Sequence, residues 1–257
     1  MLDLSVAIRK PAGMPAATLS GLHLAEAAFA LGGRAILRGL TLSLTEARIG
    51  ILGQNGSGKT TLLRLLAGLI APTSGTVRVD GLDPATDRRA LLPRLGILFQ
   101  NPDHQILFPV VEEELAFGLR QMGLPAVETA ARVARLLAAE GRTHWARAPV
   151  ATLSQGQRHY LCLLAVLLME PATILLDEPF AGLDLPTCQR LARRLEHLPQ
   201  RLITITHDPA ALARADRVLW LEAGQIRMDG PPDSVLPAFT AEMARIGERD
   251  ADADLPG

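Results

Sequence analysis

The sequence predicts an α/β fold: a mainly parallel sheet carrying an antiparallel β subdomain and an inserted helical subdomain. Three observations predict it. Short apolar runs, RIGILG at 48–53, ATILLDEP at 172–179 and RLITITH at 201–207, read as strands buried on both faces. Helical patterns separate them, and strands alternating with helices imply a parallel sheet covered on both sides. Residues 22–48 alternate apolar and polar positions around Gly32-Gly33, the pattern of antiparallel strands joined by a turn.

The elements follow in order. Residues 1–20 lack a long apolar stretch and read as a flexible extension, not a signal peptide. RIGILG feeds a glycine-rich loop, a helical pattern runs over 59–69 and stops before Pro72, and TVRVDG (76–81) and LGILFQ (95–100) read as strands. From Asn101 the text changes: VVEEELAFGLRQMG and AVETAARVARLLAAEG have helical spacing, an inserted subdomain over about 101–160. QGQRHYLCLLAVLLMEP reads as one long, mostly buried helix stopped by Pro171. LPTCQRLARRLEHL is an amphipathic helix, and RVLWLEAGQIRMDG a hairpin. The main domain is expected over 21–243 and an acidic tail over 244–257, its end DADADLPG without structure.

Composition excludes several classes. A net charge of −1 and 4% aromatic residues argue against a nucleic-acid surface, which needs phosphate-neutralising cations or stacking rings. Cys162 and Cys188 lack metal-ligand spacing and read as small buried or half-buried thiols, with no disulfide framework. The longest apolar run, 160–169, is about half of a bilayer span.

The chemistry begins at GQNGSGKTT, residues 53–61. Gly53-x-x-x-x-Gly58-Lys59-Thr60 fits the phosphate-binding loop of P-loop NTPases, with the required strand before and helix after. Gly53, Gly56 and Gly58 permit backbone conformations that let successive N–H groups converge on phosphate oxygens, aided by the helix dipole. Gln54, Asn55, Ser57 and Thr61 belong to the same cradle. Lys59 and Lys10 are the only lysines among 26 Lys+Arg. A thin-stemmed ammonium fits inside a loop curled around a phosphate chain, where a broad guanidinium does not. Thr60 is the expected Mg²⁺ ligand. Downstream, Asp177 and Glu178 stand at the carboxyl end of a buried strand, where open α/β sheets bind ligands. Asp177 is expected in the Mg²⁺ shell and Glu178 as the general base on the attacking water.

Further motifs resemble those of the ATP-binding cassette (ABC) ATPases. LSQGQR at 153–158 is similar to their LSGGQ signature; Gln100 resembles the Q-loop glutamine, Ala181-Gly182-Leu183-Asp184 the D-loop, and His207 the switch histidine. Together they cover roughly residues 22–235. The resemblance implies a P-loop NTPase fold of the ABC type, with ATP and Mg²⁺ as cofactors. It implies that Gln100 joins the metal and catalytic set and that His207 orients the water at the γ-phosphate. Ser154, Gln155, Gly156 and Gln157 are implied to face ATP held by a second subunit, with Asp184 at the junction. ATP binding then closes a dimer and hydrolysis reopens it. Two departures stand out: Gln155 replaces a glycine, either crowding that interface or pointing away from phosphate, and the aromatic residue expected on the base is Leu31, so that Phe29 substitutes or the contact is merely apolar.

FQNPDHQILFPVVEEELAFGL, following the third strand-like run, is similar to the ATPases of energy-coupling factor (ECF) importers, most of all the biotin importer. That likeness implies docking on a membrane T-component that joins a substrate-binding S-component, at the cytoplasmic face of the membrane. Ile106, Phe108, Glu112, Glu113 and Glu114 are candidates for the docking groove, and the three glutamates equally for a solvated first helical turn. Cobalt, nickel or another vitamin is the rival cargo; the partner ATPase is a second copy or a paralogue. A soluble ABC protein or a P-loop kinase is the alternative outside transport.

Overall fold

The computed structural model describes residues 20–251; the extension expected over 1–20 and the end of the acidic tail lie outside them, apart from Ser20. The chain runs β1 (Leu22–Leu31), β2 (Arg34–Leu44), β3 (Arg48–Leu52), α1 (Lys59–Leu66), β4 (Ser74–Val79), α2 (Arg88–Leu91), β5 (Leu95–Leu98), α3 (Val111–Gln121), α4 (Ala126–Ala139), α5 (Gln155–Leu168), β6 (Thr173–Asp177), α6 (Leu185–Glu196), β7 (Arg201–Thr206), β8 (Arg217–Glu222), β9 (Gln225–Gly230) and α7 (Pro232–Ala251).

Two sheets form. β2-β1-β4 is antiparallel, and β5-β6-β7-β3-β8-β9 is parallel except for the β8–β9 hairpin. The uninterrupted apolar strands occupy the interior of the larger sheet: Ile174, Leu175, Leu176, Ile203, Ile205 and Ile51 are all fully buried. The alternating strands β1 and β2 bury one face, as a half-exposed sheet requires. Parallel register sets the carboxyl ends of β5, β6, β7 and β3 in a row, spaced by about 4.8 Å per strand. Gln100, Asp177, His207 and Gly53 stand at or just after those four ends, which is how residues far apart in sequence come together.

The inserted subdomain has its own apolar cluster, in which Leu115 and Leu119 of α3, Val133 and Leu137 of α4, Trp145, and Leu161, Leu164 and Leu168 of α5 meet. The opposite face of α5, Cys162, Leu163 and Val166, packs on Leu98, Ile174 and Leu176 of the main sheet. One helix thus serves both bodies, and residue 160 falls inside it.

Some boundaries move for local reasons. α1 stops at Leu66 because Gly68 adopts φ 67°, and a Cβ there would lie 1.9 Å from the Pro84 carbonyl. β4 ends at Val79 because Asp80, at φ 48°, turns the chain. α7 was not expected: it contains Pro237 and a mixed polar sequence, yet it continues past 243 to Ala251. Tertiary contact explains it, since Val235 and Phe239 bury against Trp220, the Phe239 and Trp220 rings meeting edge to face at 5.3 Å.

Candidate functional site

The loop after β3 closes on itself. Gly53 lies so near the neighbouring chain that a Cβ would sit 2.3 Å from the Leu221 carbonyl and 2.6 Å from Ser57 Oγ. Gly58, at φ 106°, precedes the first turn of α1 and leaves its N–H groups facing outward. Lys59 is buried, and its Nζ donates to the carbonyls of Gly53 (2.7 Å) and Gln54 (2.9 Å), so the ammonium lies folded inside the loop it serves. Burial lowers the Lys59 pKa, while Glu178 and Asp177 oppose the shift and favour the charged form. Ser57 Oγ is buried with no partner among the described residues.

At the end of β6, Asp177 is 8% exposed. Burial, then the neighbouring Glu178, raise its pKa against the pull of Arg64 and Lys59. Glu178 takes a left-handed backbone, φ 46°, which a non-glycine residue adopts only under local constraint. Its N–H donates to the Ile205 carbonyl at 2.8 Å. Thr206 Oγ1 donates to Glu178 Oε2 at 2.8 Å, and His207 Nδ1 lies 2.8 Å from Oε1. A carboxylate only accepts, so Nδ1 carries the hydrogen of that pair.

These groups line one cleft of ≈ 690 Å³, shared by Asn55, Gly56, Gly58, Lys59, Thr60 and Thr61, by Gln100, Asp177, Glu178 and His207, and by Arg34, Ile36 and Arg38 of β2. Hydroxyl, amide and carboxylate oxygens from Thr60, Gln100 and Asp177 are a hard-donor set that suits Mg²⁺, with nucleotide oxygens and water to complete it. No group of three or more His, Cys, Asp or Glu side chains that could hold a metal ion occurs among the described residues. The sequence reading missed Arg34, Arg38 and Thr206. The period-2 placement of residues 34, 36 and 38 on one strand face was the available signal for the first two; nothing in the sequence marked Thr206.

Phe29 and Leu31 are not in this cleft. Phe29 packs half-buried on the main core, and Leu31, paired with Arg34, is 67% exposed. Phe29 stands on β1 next to register shifts in its pairing with β2.

Ser154, Gly156, Gln157 and Asp184 are not in it either; they line a separate groove between α5 and α6. Ser154 caps α5: its side chain accepts from the Gln157 N–H, and Gln157 Oε1 accepts from the Ser154 N–H at 2.8 Å. The Gln155 amide reaches towards Gly182, where an added Cβ would come 3.1 Å from Nε2. Gln155 thus turns towards the D-loop glycine of its own chain. Asp184 caps α6 through the Thr187 N–H at 3.1 Å.

Of the docking candidates, Glu112 is exposed and Glu113 half-exposed, but Glu114 is buried. Its Oε2 accepts from the N–H groups of Leu107 (2.8 Å) and Phe108 (2.9 Å), so it builds the loop and is not a surface residue. Burial pushes the Cys162 thiol up to about 12, which leaves it inert. No helix among the described residues is long and apolar enough to cross a membrane.

Comparison with known proteins agrees with this geometry. Residues 37–181 match the model of the ABC transporter family. The chain is 51% identical over 219 residues to the biotin transport ATP-binding protein BioM of Rhodobacter capsulatus, covering 85% of this chain and 94% of that one. It is 41% identical over 234 residues to the energy-coupling factor transporter ATP-binding protein EcfA1 of Symbiobacterium thermophilum, covering 87% and 78%. The structure of CbiO1 from Clostridium perfringens, described as part of the ABC transporter complex CbiONQ, superposes with a TM-score of 0.71 at 29% identity, covering 90% of this chain and 98% of that one. A chain whose strand ends gather a phosphate loop, a paired carboxylate and a histidine, and which matches these relatives over 85% or more of its length, belongs to the ABC transporter family, as an ATPase of the energy-coupling factor type.

Proposed function

We propose that this chain is the motor subunit of a biotin importer, acting as an ATP-sandwich dimer at the cytoplasmic face of a membrane T-component. One observation carries the dimer: the Ser154-led tip of α5 and the phosphate loop line different hollows of the same chain. A capped helix tip with free N–H groups suits an anion, yet its own chain's nucleotide cleft lies elsewhere. A second subunit offers the missing phosphate. Lys59 and the loop N–H groups hold the β- and γ-phosphates, Thr60, Gln100 and Asp177 hold Mg²⁺, and Glu178 takes the proton of the attacking water. Bound Mg²⁺ would offset charge on the phosphates. The neighbour's Ser154 and Gly156 complete the enclosure, which hydrolysis then loosens.

Support for biotin is the likeness to BioM of Rhodobacter capsulatus and, at 40% identity over 214 residues, to BioM of Rhizobium etli. Cobalt is the second reading, because a cobalt import ATP-binding protein of Syntrophus aciditrophicus is 39% identical over 234 residues. Two experiments test the proposal. In a mixed dimer with Ser154→Arg in one subunit, the site holding the other subunit's ATP should fail alone; equal loss at both sites would contradict the shared arrangement. Uptake of labelled biotin and cobalt by cells expressing the chain with the membrane proteins encoded beside it should show ATPase-dependent entry of biotin; entry of cobalt instead would overturn the cargo.

A further inference from the structure

The nucleotide cleft has a wall that the phosphate chemistry leaves unused. Lys59, Asp177, Glu178 and His207 gather where the parallel strands end, while β2 lines the cleft through Arg34, Ile36 and Arg38. Those three residues alternate along one strand and so share a face.

The middle of β2 is tied to the phosphate loop. The Arg38 N–H donates to the Gly224 carbonyl at 3.0 Å, and the Gly224 N–H donates to the Ser57 carbonyl at 3.0 Å. The Ile36 carbonyl lies so near Gly58 that a Cβ there would come within 3.3 Å of it. Ile36 and Arg38 therefore stand beside the residues that cradle phosphate. Arg34 is two residues further along the strand, about 6.6 Å further out by the rise of a strand, next to the turn at Gly32-Gly33. With the γ-phosphate facing Glu178 and His207, the base lies at the other end of the nucleotide, and the lining that remains there is β2.

The residue types at that end are also particular. No Phe, Tyr or Trp lines the cleft among the described residues. Arg34 is exposed, and its guanidinium makes no hydrogen bond or ion pair among the described residues. Its cross-strand neighbour Leu31, at the position where an aromatic ring was expected, offers no π-face.

We infer that Arg34 is the residue that holds the base, its guanidinium plane stacked on the face of the ring. The inference rests on the nucleotide reading of this cleft, and not on the dimer or the cargo. A guanidinium is planar, delocalised and weakly hydrated, and it stacks on ring faces. Every base has such a face, so stacking tolerates a change of base. Arg34 then grips a purine nucleotide without separating adenine from guanine, and the discrimination that a base-edge contact would supply is missing at this position.

Calorimetric titration of the single chain with MgADP, MgGDP and magnesium pyrophosphate separates base from phosphate with no hydrolysis. In Arg34→Ala the affinities for MgADP and MgGDP should each fall about tenfold, while that for pyrophosphate changes by less than about twofold. Arg34→Lys keeps the charge without the stacking plane and should bind MgADP as weakly as Arg34→Ala. Equal losses for pyrophosphate and MgADP would overturn the inference, because Arg34 would then be a phosphate contact. Wild-type MgADP affinity in either variant would overturn it too, as would a loss confined to one nucleotide, which marks a hydrogen bond to the base edge. If wild type binds MgADP no more tightly than pyrophosphate, the base contact falls and the phosphate loop stands; if it binds none of the three, the nucleotide reading itself falls.

Discussion

His207 Nδ1 lies 2.8 Å from Glu178 Oε1 while Thr206 Oγ1 donates to the other carboxylate oxygen, so the proposed base is held at both oxygens by the end of the neighbouring strand. β6 and β7 are paired from Thr173↔Arg201 to Asp177↔Ile205, which places Glu178 beside Thr206 and His207. The orientation of this carboxylate is therefore fixed by contacts with the neighbouring strand.

Glu178→Gln keeps the shape, exchanges one of the two accepting oxygens for an NH2 donor, and removes the proton acceptor. Hydrolysis should drop by about 10²–10⁴-fold with MgATP still bound, as loss of a general base implies. His207→Ala should lower kcat more than it raises KM, because the carboxylate loses one of its two restraints. Steady-state phosphate release measures both, and near wild-type turnover by Glu178→Gln would remove Glu178 as the base.

Lys59→Arg keeps the charge and tests the shape. Nζ sits between two loop carbonyls at 2.7 and 2.9 Å, a space cut for one nitrogen. The forked head should be expelled and hydrolysis should fall by about a hundredfold, ~2.7 kcal/mol of transition-state stabilisation. Surviving activity would show that the loop accommodates a guanidinium.

Asp177→Asn should separate stability from activity. Burial raises the Asp177 pKa above its ordinary value of 3.8, so the folded chain holds that proton more tightly than the unfolded one. The resulting stabilisation is present at low pH and is lost as pH rises from 3.8 through the raised folded value. At neutral pH the ionised group opposes the metal-free fold. The asparagine variant should therefore melt higher than wild type at pH 7 without metal, with a flatter pH dependence over that window, while Mg²⁺-dependent hydrolysis falls. Lower stability of the variant at pH 7 would mean that attraction to Lys59 outweighs burial.

Glu114→Ala should loosen the loop before α3. Two N–H groups, of Leu107 and Phe108, lose their shared acceptor, at a cost of about 1–3 kcal/mol. Amide exchange at those two positions should accelerate in the folded protein, while MgATP binding should stay unchanged, since neither Glu114, Leu107 nor Phe108 lines the cleft. Unaltered exchange would remove Glu114 as the clamp.

Much of this protein was legible from its sequence. The phosphate loop, the acid pair and the histidine were readable because glycine spacing and uninterrupted apolar strands are local signals, and parallel pairing then lines up the strand ends. Only the tertiary structure decided the rest. Glu114 became a loop clamp instead of a surface acid, and α7 formed despite Pro237 because Trp220 offered Phe239 a surface. Local patterns specify which element forms and which residue can carry a charge or proton; which side chain faces which neighbour depends on packing between distant segments, and that is fixed only when the whole core closes.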